Sequence, residues 1–484
     1  MTGMARRGYQ EAIGCLNGLQ SNYANVMAVR ASGERRNMMN LWEMEEWSRR
    51  LGYGPGALDR LNVIHITGTK GKGSTAAFVQ GIVGRYSAAG RVGLYTSPHL
   101  RSVRERIRID GEPVSEEQFS RGFFEVWDRL EATRSDESRF PHMGAGAKPG
   151  YFKFLTLLSF HMFLEAGCET CIYEVGVGGA FDSTNIVRRP SVCGVTALGI
   201  DHTFMLGDTI EEIAWNKGGI FKTGARALTV AGQPAEGLAV LRERAAEVGA
   251  ELEEVPVLTA LRDVKLGIAG DFQAANASLA VGLAAEHLRR RGADCGLDAL
   301  TADTPLPREF VEGLESTRWE GRCQTIEDGT VTWYVDGAHT KESIVAASTW
   351  FTQAAVPGRQ KVLLFNQQTR DAGALLRHLH AVTGPVLTFN HCLFTTNVTW
   401  KSGTYSADLV SHNTSKEEVS KLEVQRALQE TWSSMTGNSS GNTAVYSDIE
   451  SAVAAIKAIQ EPADVFVTGS LHLVGGLLVV LDGK

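Results

Sequence analysis

From Leu61 onward, short β-branched runs alternate with segments of helical period: Val63 to Ile66, then Ser74 to Tyr86, then Val92 to Tyr95, with further apolar runs at Cys171 to Val175 and Val192 to Ala197. Such alternation predicts buried strands joined by helices, hence an α/β domain built on a mostly parallel sheet. Between Ala302 and Trp319 the pattern lapses into a stretch holding Pro305, Pro307 and scattered charges. New strand patterns follow at Thr330 to Val335, Val362 to Phe365 and Val465 to Thr468. The expected division is therefore residues 1–316 and a smaller α/β domain over 317–484. The polar segment Trp400 to Lys421, rich in Ser, Thr and Lys, predicts a loop or insertion on the second domain.

Composition narrows this picture. At 484 residues the chain exceeds what one hydrophobic core supports, and 43% hydrophobic with 21% charged residues suits an ordered globular protein. A net charge of -7 argues against a general nucleic-acid binder, so an anionic ligand must be held by local cations. Seven cysteines at irregular spacing predict free thiols in a reducing compartment. Cys168 and Cys171 form a C-x-x-C pair that runs into the apolar Cys171-Ile172-Tyr173, which favours packing over metal or redox chemistry. No run approaches the length of a membrane-spanning helix, and Arg6 and Arg7 are followed by no apolar signal core. The expected location is cytoplasmic; five arginines against two glutamates in the first forty residues point weakly to an additional mitochondrial pool. N-x-[ST] triplets begin at Asn397, Asn413 and Asn438, and carry little meaning without a secretion signal.

Between the first strand and helix lies Thr67-Gly68-Thr69-Lys70-Gly71-Lys72-Gly73-Ser74-Thr75. Glycines let backbone N–H groups turn toward a phosphate, the helix amino terminus adds positive potential, and Lys72 reaches the terminal phosphates. The spacing departs from a strict Walker A loop: Ile66 stands where its first glycine belongs, and the hydroxyl of Ser74 follows Lys72 by two positions. A plain glycine-rich turn is the alternative.

Two further sites follow strands. Glu174 and the pair Asp201-His202 are expected near the carboxyl edge of the sheet, where open α/β sheets bind ligands, and a carboxylate with an imidazole there can share a divalent ion. A paired structural carboxylate and a satisfied core histidine are the bland alternatives. From Asp208 to Lys217, Asp208 with Glu211 reads as a capping box, and Ile210, Ile213, Ala214 and Lys217 follow helical spacing. Lys217 thus falls on the inward stripe, where its ammonium needs a partner or a changed charge state, unless it snorkels past the helix end.

The motifs TGTKGKGST, LYTSPHL, SVRERIRIDG, EVGVGG with FDSTN, GIDHTFMLGDTIEEIAWNKGGIFK, WEGRCQ, VDGAHT and TGSLHLVGG run in order along the chain. In them the sequence resembles the folylpolyglutamate synthase family, eukaryotic type, within the wider group that includes the Mur ligases. The resemblance implies a P-loop ATPase domain followed by a Rossmann-like domain, with ATP at their junction. It places Gly68, Thr69, Lys70, Gly71, Lys72, Gly73 and Ser74 on the phosphates and Ser97, Glu174 and His202 on Mg2+. Lys217 matches a lysine carbamylated in relatives, where the carbamate turns a cation into an anionic oxygen ligand. Lys72, His202 and Lys217 form the implied catalytic set. Arg322, Asp336 and His339 match ATP-contacting positions of the second domain, as does Asn276, although Phe272 stands where a histidine is frequent.

The implied reaction is glutamate addition to a folate through an acyl phosphate, since a free carboxylate is a poor acceptor for an amine. ATP is co-substrate, Mg2+ the metal, and a monovalent cation an optional addition; folate and L-glutamate complete the partners of a monomer with no nucleic acid and no integral membrane segment. Arg104, Arg106 and Arg108 alternate along an expected strand, and their shared face either attracts the folate glutamate tail or is merely solvated. The competing readings are dihydrofolate synthase, a paralogous amide ligase of specialised metabolism, a Mur-type ligase and a silent nucleotide-binding regulator. The unbroken TSPHL and GSLHLVGG motifs favour the polyglutamate enzyme.

Overall fold

A computed structural model describes residues 7–20, 38–368, 371–402, 422–437 and 442–483. Two compact units emerge. The first comprises Met1–His99, Val103–Gly267 and Gln273–Thr317; the second comprises Leu100–Ser102, Ile268–Phe272 and Arg318–Lys484.

The first unit is built on β1 (Val63–Thr67), β2 (Val92–Tyr95), β3 (Ile107–Ile109), β4 (Glu112–Pro113), β5 (Thr170–Glu174), β6 (Val192–Val195), β7 (Arg226–Val230) and β8 (Glu251–Val255), ordered β4-β3-β2-β5-β1-β6-β7-β8. From β2 to β8 the pairings are parallel, and β3 and β4 add an antiparallel edge. The central strands β1, β2, β5 and β6 are buried at every position. This is why they read as continuous apolar runs rather than alternating ones.

Helix Lys72–Val83 follows β1 and packs against helix Gln273–Arg290. On the β2–β5 side, helix Glu116–Ala132 opens with a Ser115–Gln118 capping box and buries Phe119, Phe123 and Phe124 against helix Tyr151–Glu165. Each fully buried phenylalanine contributes roughly 1.5–3 kcal/mol of transfer free energy, so this aromatic layer holds the β2–β5 flank firmly.

The second unit is built on β9 (Gln324–Asp328), β10 (Val331–Val335), β11 (Gln360–Phe365), β12 (His391–Thr395), β13 (Asn442–Tyr446) and β14 (Ala463–Thr468), ordered β13-β12-β11-β14-β10-β9. All pairs are parallel except β9 with β10. Inserting β14 between β10 and β11 puts the ends of these three strands side by side at one carboxyl edge, the place where such sheets bind ligands. Most of the expected insertion, residues 403–421, lies outside the described residues, as do Asn413 and Asn438. Asn397 is described, and its side-chain amide donates to Gln368. Cys168 and Cys171 are both buried free thiols, as packing requires.

Candidate active site

Tight packing shapes the glycine loop. Gly68 and Gly71 both adopt positive φ, 142° and 92°. A Cβ at Gly68 would overlap the Thr196 hydroxyl, and one at Gly71 would overlap the Asn276 amide oxygen. Both positions therefore need glycine on two counts, conformation and space. Gly71 also caps helix Lys72–Val83, whose first turn carries Gly73 and the buried Ser74.

Hydrogen bonds tie the loop to the chain leaving β6. The N–H groups of Thr69 and Lys70 donate to the Ala197 carbonyl at 2.9 and 3.3 Å. Thr69 Oγ1 donates to Gly199 O at 3.0 Å and accepts from Gly199 N–H at 3.1 Å. Gln233 holds the other side of that segment, accepting from Leu198 N–H and donating to Thr196 O. Gln273 Nε2 donates to Ser74 Oγ at 3.4 Å and Asn276 Nδ2 to Gln273 Oε1 at 2.8 Å, which seats Asn276 against the loop. Lys72 Nζ donates to Gly68 O at 3.1 Å, folded back over its own loop. Lys70 pairs with Asp201 at 3.0 Å.

Glu174 closes β5, is buried, and accepts the backbone N–H of Ser97 at 2.9 Å through Oε2. The structure thus brings two of the expected metal residues together. Strand β6 ends at Val195, two residues short of the expected Ala197, and His202 follows in an irregular segment with φ 54°, exposed, its N–H on Asp201 Oδ1.

Helix Ile210–Gly218 is capped one residue later than the sequence pattern suggested: Thr209 Oγ1 accepts the Glu212 N–H at 3.3 Å, and the Glu212 carboxylate accepts the Thr209 N–H at 3.3 Å, so Thr209 and Glu212 form the box. The inward stripe is as expected. Lys217 is 3% exposed, and among the described residues its ammonium makes no hydrogen bond or ion pair. Burial pushes its pKa far down, the positive charge of Lys72 pushes the same way, Asp201 opposes and Lys70 adds to the fall. Lys70, Lys72, Asp201 and Lys217 thus share one electrostatic neighbourhood, with a lysine biased to the neutral amine.

Among the described residues no three His, Cys, Asp or Glu side chains group as a metal cage. The donor chemistry nevertheless fits a hard divalent ion: a carboxylate at Glu174, the hydroxyl of the adjoining Ser97, an imidazole at His202, and an amine that gains oxygen donors on carbamylation.

One expectation fails. Arg104, Arg106 and Arg108 do not share a strand face, since Val103–Arg106 forms a 3-10 turn and only Ile107–Ile109 is strand. The turn sends them apart. Arg104 donates to Val114 O and lies over Tyr9, Arg108 donates to Gly111 O, and Arg106 donates to His99 Nδ1.

In the second unit, Asp336 follows β10 and is buried, accepting from Cys323 N–H at 2.8 Å and Ala338 N–H at 2.9 Å. Burial raises its pKa against the lowering influence of Arg322. His339 Nδ1 bonds Gly337 O, and Arg322 donates to Gly321 O. The β14 end joins them, with Gly469 N–H on Ala338 O and Ser470 capping helix Leu471–Asp482. Sequence reasoning missed Gln273 and Gln233. Gln273 reaches Ser74, and Gln233 reaches Leu198 and Thr196, across long stretches of chain, so no local pattern marks these contacts.

A glycine phosphate loop on a parallel sheet, a lysine-rich neighbourhood beside it and a second α/β unit define the two-domain nucleotide-dependent ligase class. Solved structures share this fold: Mycobacterium tuberculosis folylpolyglutamate synthase complexed with ADP and AMPPCP (TM-score 0.70, 22% identity, 96% of this chain and 98% of that one), and E. coli FolC with DHPP and ADP (TM-score 0.69, 22% identity, 100% and 99%). The family described as "Dihydrofolate synthetase, C-terminal domain" matches residues 320–480. Folylpolyglutamate synthase of Saccharomyces cerevisiae (strain AWRI796) is 59% identical over 482 residues, 99% of this chain and 88% of the relative. The chain belongs to the folylpolyglutamate synthase family.

Proposed function

We propose that this protein ligates L-glutamate to the terminal γ-carboxylate of a tetrahydrofolate, with ATP converted to ADP and phosphate. The observation that carries the reading is the glycine loop itself, packed closely against Asn276 and Thr196 with Lys72 and the buried Lys217 beside it. The γ-carboxylate attacks the terminal phosphoryl group, giving an acyl phosphate and ADP. The glutamate amine then attacks the acyl carbon and releases phosphate, so no side-chain nucleophile is required. Backbone N–H groups of the loop and the Lys72 ammonium neutralise charge on the transferring group, which is most of the catalytic work in phosphoryl transfer.

Ser97, Glu174, His202 and carbamylated Lys217 would hold Mg2+, whose chemistry is to neutralise phosphoryl oxygens and template their approach. The neutral bias of Lys217 supports this, because only the free amine adds carbon dioxide. In the same reading Asn276, Arg322, Asp336 and His339 contact the nucleotide, and the enzyme works as a monomer in the cytoplasm with a mitochondrial pool.

The second reading, dihydrofolate synthase, is favoured by the description of the family that matches residues 320–480. Incubating the purified protein with ATP, magnesium, glutamate and either tetrahydrofolate or dihydropteroate, with products followed by mass, separates the two. Successive additions to tetrahydrofolate, lost in Lys72→Ala, are expected. Conversion of dihydropteroate alone moves the assignment to the second reading, and ATP binding without either product points to a paralogue.

A further inference from the structure

Arg106 is an unusual cation of the first unit. It is 8% exposed, yet among the described residues its side chain meets no carboxylate and no backbone carbonyl. Its polar contact is Nε donating to His99 Nδ1 at 2.9 Å, a bond that requires that nitrogen of His99 to be unprotonated, and its guanidinium lies 5.7 Å from the Tyr151 ring centre. Neighbouring arginines differ: Arg104 and Arg108 each donate to a backbone carbonyl. The terminal nitrogens of Arg106 are not among the sealed, unpartnered atoms, so they remain open to a ligand. A guanidinium buried among neutral groups is costly unless an anion completes it.

Its place in the fold says which anion. The Arg106 carbonyl accepts the N–H of Thr96 at 3.1 Å, one residue before Ser97, whose own N–H rests on Glu174. Arg106 therefore sits at the turn that carries the candidate metal residues, while the phosphates have the glycine loop and Lys72. A folate ending in glutamate brings two carboxylates. One must stay a free nucleophile toward ATP; the other takes no part in the chemistry. A bidentate guanidinium pair stabilises a carboxylate's negative charge and makes it a poorer nucleophile, so arginine suits the spectator.

We infer that Arg106, held by His99 and Tyr151, binds the α-carboxylate of the acceptor's terminal glutamate and thereby selects glutamate-bearing folates over pteroates. This rests on the folate-glutamylating reading above. Pteroate has no α-carboxylate, so with it the guanidinium stays unpaired at a cost that discriminates between acceptors.

The test uses the whole enzyme with tetrahydrofolate and with tetrahydropteroyl-4-aminobutyrate, which keeps the γ-carboxylate and lacks the α-carboxylate. Wild type is expected to show a KM about 10- to 100-fold higher for the aminobutyrate acceptor, the size of a lost charged hydrogen-bond pair. Arg106→Gln is expected to raise the KM for tetrahydrofolate by a similar factor, and to leave unchanged the KM for the aminobutyrate acceptor, L-glutamate and ATP. Arg106→Lys falls between, and carries the same comparison where the glutamine variant fails to fold. Equal penalties on both acceptors would reduce Arg106 to a structural role, and a rise in the KM for L-glutamate alone would assign it to the incoming amino acid; either overturns the inference. Failure of wild type on tetrahydrofolate would instead sink the functional reading beneath it.

Discussion

Gly71 and Asn276 are packed so closely that a single carbon added to the glycine would overlap the asparagine's amide oxygen. Gly71→Ala therefore meets two costs. One is the clash; the other is φ of 92°, which disfavours an alanine by about 1 kcal/mol or more. ATP affinity, measured by calorimetry, should fall at least about tenfold. In an Asn276→Ala background the clash disappears and the backbone cost stays, so the glycine substitution should hurt less there. Equal penalties in both backgrounds would mean that Asn276 does not shape the loop.

Glu174 accepts the Ser97 N–H through one oxygen. A glutamine can offer the same acceptor without the charge, so Glu174→Gln should keep the fold, with stability within about 1 kcal/mol of wild type by urea unfolding. Loss of the charge should lower kcat for ADP release by about a hundredfold or more, since a metal-bound carboxylate is hard to replace. An active Glu174→Gln enzyme would remove Glu174 from the proposed metal set.

The parts of the site that were legible share one property: their chemistry is local. Gly68 to Ser74 form a compact string, and the inward lysine at 217 declares itself by helical spacing from Ile210, Ile213 and Ala214. Strands β1 and β2 were equally plain, since burial on both faces leaves mostly apolar runs, interrupted in β1 by His65. What was misread depended on a balance between neighbours. In SVRERIRIDG the arginines alternate, and alternation predicts strand, but Glu105 interrupts the apolar positions; Val103–Arg106 forms a 3-10 turn and β2 pairs only with Ile107–Ile109. Gln233 and Gln273 were invisible for a different reason. A glutamine's role is set by the carbonyl or hydroxyl it meets across the fold, and nothing beside it in sequence encodes that meeting.

His287 is fully buried between two hydroxyls, its Nε2 2.8 Å from Thr170 Oγ1 and its Nδ1 2.9 Å from Ser191 Oγ. Burial, with Arg291 and Arg290, lowers its pKa to about 4. The folded state thus resists a proton that the unfolded chain takes up below about 6.5. Stability should be fully present above that value and fall as the pH drops toward 4, by on the order of 3 kcal/mol for this residue. His287→Asn, followed by urea unfolding between neutral and acid pH, should be less stable at neutral pH and show a shallower acid loss. An unchanged slope would place the acid sensitivity elsewhere.

Lys217 joins stability to function in opposite senses. Its folded pKa lies well below the ordinary lysine value near 10.4, so between the two the unfolded chain holds a proton that the folded chain lacks. Stability of the protein without metal should therefore rise with pH through that window, and below it the buried ammonium is a standing cost. Lys217→Met keeps the stem and removes the charge, so it should unfold at higher urea than wild type at neutral pH, while losing nearly all ligase turnover. The same neutral bias makes the amine ready for carbon dioxide. Protein given 13C-bicarbonate should show a carbamate carbon resonance that is absent in Lys217→Met and strengthens as pH rises toward the amine's folded pKa. Enzyme stripped of carbon dioxide should lose activity and regain it with bicarbonate. A stabilised, inactive Lys217→Met with no carbamate signal in wild type would leave the lysine acting as a bare amine, and the metal would then rest on Ser97, Glu174 and His202 alone.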